Sequence, residues 1–123
     1  MNQLDLAWET FDFHTEEIAR LEALYISNIK KSKIFSKKRI KPSHAESNRI
    51  YKSTLSCCEK LIVNYLKQLN AILDLQKIYD SDIEIPIEYE MDEKFLVELA
   101  EITNELIQDL KAHKSNIIDD FIE

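Results

Sequence analysis

A chain of 123 residues, 45% of them apolar and 32% charged, is long enough to bury one core without disulfide or metal staples. It contains no glycine. Tight hairpins and phosphate-cradling loops both need backbone at positive φ, so a hairpin-rich β fold and a glycine-loop nucleotide site are excluded first. With a formal charge of −7, the chain as a whole is a poor match for nucleic acid.

The first predicted helix runs from about Asn2 to Lys30. Leu4, Ala7, Phe11, His14, Ile18, Leu21 and Tyr25 recur in it at steps of three and four. Residues 30–41 break this pattern and read as a loop, with Ile34, Phe35 and Ile40 able to seed a short fourth helix. Pro42 disfavours an α conformation at the residue before it. A second helix opens on a capping box, Ser43 to Glu46, in which each side chain satisfies an orphan amide of the first turn. It then carries a heptad of Tyr51, Leu55, Cys58, Ile62, Tyr65, Leu69, Ile72, Gln76 and Tyr79.

Between Asp80 and Asp92, Ile83, Ile85, Ile87 and Tyr89 alternate with Glu84, Pro86, Glu88 and Glu90. A period of two reads as extended chain, and Pro86 keeps it out of any central strand. A third helix follows Asp92, with Phe95, Leu99, Ile102, Leu106, Leu110, His113, Ile117 and Phe121 as its stripe. The fold class is therefore all-α: a single domain, an up-down-up bundle of three long antiparallel helices with an extended acidic strap between helices two and three. Leu61, Leu66, Leu73, Leu75 and Ile78 widen the stripe of helix two, and Leu96, Ile107 and Ile118 that of helix three. This surplus calls for a cover, either the strap or another molecule, and a homodimer is one arrangement that supplies it.

Charge is segregated along the chain. Residues 1–29 carry −5, residues 30–73 carry +9 and residues 74–123 carry −11. Lys30, Lys31, Lys33, Lys37, Lys38, Arg39 and Lys41 place seven bases in twelve residues. Asp80 to Glu93 holds seven acids in fourteen. Up-down-up topology puts the two runs at opposite ends. The register of antiparallel helices also sets Lys60 level with Glu105, and Lys67 level with Glu98 and Glu101, as interhelical pairs.

Catalytic chemistry is thinly provided. Cys57 and Cys58 are neighbours, which cannot form a relaxed disulfide on a helix, and no CxxC pair exists. That points to a reducing, cytoplasmic setting, and no apolar run is long enough to span a membrane. His14 and His113 fall in apolar stripes, about 15 Å apart along parallel helices, too far to share a metal. No cofactor or metal site is expected, and no enzyme activity. Arg39 and His44 stand at the Arg-x4-His spacing of HEPN-type ribonucleases, which are helical bundles. In that family both residues share a helix, whereas here Pro42 lies between them.

These features point to a non-catalytic protein–protein interaction module, a small bacterial or phage-type adaptor, inhibitor, immunity protein or secretion chaperone. Its expected partner surfaces are the basic end, residues 30–41, and the strap Ile83, Ile85, Ile87 and Tyr89. The alternatives are a nucleic-acid-associated subunit holding phosphates through the basic loop, and a helical ribonuclease.

Overall fold

The computed structural model describes residues 3–37, 44–81, 85 and 93–122, apart from the side chains of 32–37, 44 and 118–122. Three helices account for almost all of it: α1 (Gln3–Lys37), α2 (His44–Tyr79) and α3 (Glu93–Ile122). There is no strand among the described residues. At 1.5 Å per residue the helices are about 45–54 Å long.

Helix α1 does not stop near Lys30. It continues through KKSKIFSK to Lys37, so residues 31–37 belong to α1, with no separate fourth helix among the described residues. The reason is local: this stretch lost its apolar period but contains no glycine or proline, and lysine is a good helix former. At its other end α2 closes tightly, with Asp80 N–H donating to Gln76 C=O at 3.0 Å and Ser81 N–H to Ile78 C=O at 3.2 Å.

Cross-helix hydrogen bonds fix the direction of packing. Asn28 pairs with Ser53, His14 with Asn64 and Thr15 with Gln68, so α1 and α2 run antiparallel. Ile72 and Leu75 cluster with Leu96, and Leu61 and Tyr65 with Ile107, so α2 and α3 do too; Cys58 Sγ–H donates to Leu110 C=O at 3.3 Å and Lys114 pairs with Glu59 at 3.3 Å across the same seam. The topology is up-down-up. Yet α2 alone joins the other two: among the described residues, no Cα of α1 comes within 8 Å of one in α3. With a Cα radius of about 2.3 Å, their axes stay roughly 12 Å or more apart, beyond the 8–10 Å of packed helices. The bundle is open along its α1/α3 side.

The core falls into two clusters. Leu4 and Ala7 of α1, Ile72 and Leu75 of α2, and Leu96 of α3 form the first. Ile18, Leu21, Leu61, Tyr65 and Ile107 form the second. A polar layer separates them. His14 Nδ1–H donates to Asn64 Oδ1 at 2.8 Å, and Gln68 Nε2–H donates to Thr15 Oγ1 at 2.7 Å, which itself donates to Phe11 C=O. At the same level the hydroxyl of buried Thr103 donates to Leu99 C=O. Every one of these groups has a partner, as burial demands.

The stripe of α1 buries much as its periodicity predicts, with Asn28 extending it by one further turn. That of α3 does so only in part: Leu99, Leu110 and Ile117 are half-buried, Leu99 and Leu110 against the two clusters. The line turned toward α2 is Leu96, Thr103, Ile107 and half-buried Lys114, one position on from the predicted one. Leu96 and Ile107 are each 1% exposed, against 50% for Phe95, 53% for Ile102 and 38% for Leu106. His113, one turn beyond Asp109, is exposed rather than in the stripe. The pairing of Lys60 and Lys67 with α3 is likewise overturned. Lys67 lines a groove on the α1 side of α2, and Lys60 sits one turn before Asn64, which faces His14. Register had set their height, not the side of α2 they leave from. The ion pair that spans α2 and α3 is Glu59 with Lys114.

Candidate functional site

Four features of the surface bear on function, starting with the basic end. Lys30 and Lys31 are exposed on α1. Lys33 and Lys37 follow on the same helix at steps of three and four, and α2 begins at His44. Lys38, Arg39 and Lys41 lie outside the described residues, and so does the Arg39 end of the Arg39–His44 spacing. The helix fixes the spacing of its charges, which a loop would not.

At the opposite end, Ile85 is half-buried and packs against the first core cluster beside Trp8, Phe11 and Tyr79. Ile83, Ile87 and Tyr89 lie outside the described residues. Trp8 and Phe11 meet edge to face, 5.6 Å between centroids, and the buried Trp8 Nε1–H has no acceptor among the described residues.

Between α1 and α2, on the side away from α3, an open groove of about 590 Å³ is lined by Thr10, His14, Lys67, Asn70, Asp74 and Lys77, among others. Its cations and its acid are interspersed, which suits no single ligand charge. No group of three or more His, Cys, Asp or Glu is placed to hold a metal among the described residues.

The buried titratable groups behave as packing. Cys57 and Cys58 are both buried and free of disulfide. Burial pushes the Cys58 thiol above its ordinary range, the opposite of what a nucleophile needs. Burial also raises Tyr65, helped by Glu22, whose carboxylate accepts the phenol proton in a hydrogen bond, and burial raises Tyr25. Each group holds its proton more tightly folded than unfolded. Stability is thus full below the ordinary thiol and phenol values, about 8.5 and 10, and is lost as pH climbs past them. Urea unfolding at stepped pH is expected to show stability falling from about pH 9 upward, and Tyr65→Phe should flatten the part above about pH 10. A curve level through pH 11 would contradict the burial of these groups.

The last feature was missed from the sequence. Phe95, Ile102 and Leu106 make an exposed apolar stripe on α3, and Leu6, Phe13 and Leu24 make another on α1. A signal existed, since α3 carries apolar residues on two adjacent lines, more than one neighbour can cover.

No helix among the described residues is long and apolar enough to cross a membrane. Compared with models of known protein families, with curated proteins and with solved structures, the chain matches none.

Proposed function

We propose that this chain is a non-catalytic protein–protein interaction module, working as a small bacterial or phage-type adaptor, inhibitor, immunity protein or secretion chaperone. The observation that carries the reading is the apolar stripe Phe95, Ile102 and Leu106, half exposed beside the open side of the bundle. Large apolar side chains aligned on one surface mark a docking face more often than idle surface. The basic end and the strap around Ile85 are the other two surfaces on which a partner would be sought, the strap by pairing its extended chain with a sheet edge. The partner is another protein, a second copy of this chain included.

Affinity capture from the native host, with bound proteins quantified, tests the reading. A protein retained in fixed proportion to the bait is the expected result. Capture of nucleic acid alone, or of nothing, would set the reading aside.

A second reading is favoured by one observation: α1 carries the lysines of 30–37 on an unbroken helix. A helical row of bases suits phosphate contacts, which position without reading sequence. Fluorescence titration of a generic oligonucleotide decides between them. No binding is expected even at low salt. Affinity that falls steeply with salt, by nearly one logarithmic unit per phosphate neutralised, and disappears on reversing Lys37, Lys38 and Arg39, would make nucleic acid the partner.

A further inference from the structure

The open side of the bundle has walls, a floor and rims. On α1 the flank turned toward α3 is marked by Thr15 and Glu22. These residues bond Gln68 and Tyr65, and Tyr65 shares the second core cluster with Ile107 of α3. Trp8 and Phe11 lie on that flank, seven and four residues before Thr15. On α3 the right-handed sense of the helix puts Phe95, Ile102 and Leu106 on the matching flank. They lie about 100° back from the buried line, toward α1 when α2 runs antiparallel between them. Between the walls Tyr65 and Ile72 of α2 are buried and Leu69 is half-buried, so the floor is already covered and the walls carry the exposed apolar surface. The stripe from Phe95 to Leu106 is about 17 Å long.

Both rims are acidic. Glu9, Asp12 and Glu16 recur along the outer edge of the α1 wall, and Glu98, Glu105 and Asp109 along that of α3. All six are exposed. None forms an ion pair among the described residues. An apolar channel between two acid rows selects for charge as well as shape.

We infer that this channel receives a basic amphipathic helix of a partner protein, which lies between α1 and α3 as a fourth helix. The inference rests on the interaction reading above and names its site and the chemistry of its partner. The occupant presents apolar residues at i, i+3, i+4 and i+7 to Trp8, Ile102 and Leu106, and lysine or arginine on both shoulders to the acids. A second copy fits badly. Docked stripe to stripe, its Glu98, Glu105 and Asp109 would meet the same row of the first, like charge against like.

The probe is a synthetic amphipathic helix of about eighteen leucines and lysines, compared with a leucine/glutamate peptide of the same pattern and a lysine/serine peptide of the same charge. Trp8 is the one tryptophan of the chain, and its emission reports the channel directly. The leucine/lysine peptide is expected to bind one to one, with a shift in Trp8 emission, and the other two not. Ile102→Asp, at an exposed position and checked for retained helicity, should weaken binding by about tenfold or more, and Glu98→Lys with Glu105→Lys should do the same. Failure of the leucine/lysine peptide to bind, equal binding of the lysine/serine peptide, or indifference to Ile102→Asp overturns the inference. So does light scattering that shows a dimer which Ile102→Asp dissociates. A host protein captured equally well by the Ile102→Asp variant removes the channel and leaves the interaction reading intact. Peptide docking in a chain that captures no host protein does the reverse.

Discussion

Truncating Ile72 to alanine is expected to lower stability by about 2–5 kcal/mol, enough to drop the melting temperature by roughly 10 °C or more. Ile72 is fully buried on α2, in one of two clusters that each gather residues of all three helices. Removing its outer carbons forfeits their transfer free energy and leaves a hole that helices anchored on both sides cannot close. The same cut at Ile102, 53% exposed on α3, is expected to change stability by less than about 1 kcal/mol, because the lost atoms already touch water. Sequence alone ranks the two alike: each is an isoleucine on the apolar stripe of a long helix. Thermal and urea unfolding of both variants decides the matter. Comparable costs would mean that α3 is turned so that Ile102, not Thr103, faces α2.

The polar layer gives the second test. Asn64→Leu is expected to cost about 1–3 kcal/mol, since it strips buried His14 of the acceptor for its Nδ1–H. Changing both residues to leucine should recover most of that loss, because the lone polar group is then gone and apolar volume takes its place. The cycle therefore has a large coupling term of one sign. Its worth to the protein lies in alignment. Apolar knobs tolerate sliding by a heptad, but a histidine tied to one asparagine, and a glutamine tied to one threonine a turn away, hold α1 and α2 in a single register. Additive single and double changes would show that the pair does no such aligning.

The number of helices, their type and their antiparallel order could all be read from periodicity, because each run is long and unbroken by glycine. Positions around each helix were harder. For α1, with one neighbour, the period-3.5 line from Leu4 to Tyr25 is the line that packs. For α2, with two neighbours, the predicted heptad is buried at Cys58, Tyr65 and Ile72 and half-buried at Tyr51, Leu55, Ile62 and Leu69. Leu61 and Leu75, which lie beside the heptad, are as deep as its Cys58 and Ile72, because a helix covered from two directions buries a wider line. For α3 a buried threonine interrupts the true line, so counting apolar residues selects the neighbouring stripe, of which Leu99 and Leu110 pack while Phe95, Ile102 and Leu106 stay outside. The surplus of apolar surface was thus evident from composition, while its place on α3 was not. The end of α1 was misplaced for a related reason: loss of amphipathic period signals loss of a packing partner, not loss of helix. Of the acidic segment only Ile85 is described, and it packs against the first cluster; the extended conformation read for its neighbours lies outside the described residues.

That α1 and α3 meet only through α2 also bears on which changes the protein can accept over time. Structurally it is a pair of hairpins sharing one arm. An outer arm can be resurfaced or exchanged while the seat of the other stays as it was, so the two are free to diverge on separate schedules. The shared arm has no such latitude. Each substitution on α2 must satisfy neighbours on two sides at once, and novelty in this architecture should collect at its flanks, with the middle held still.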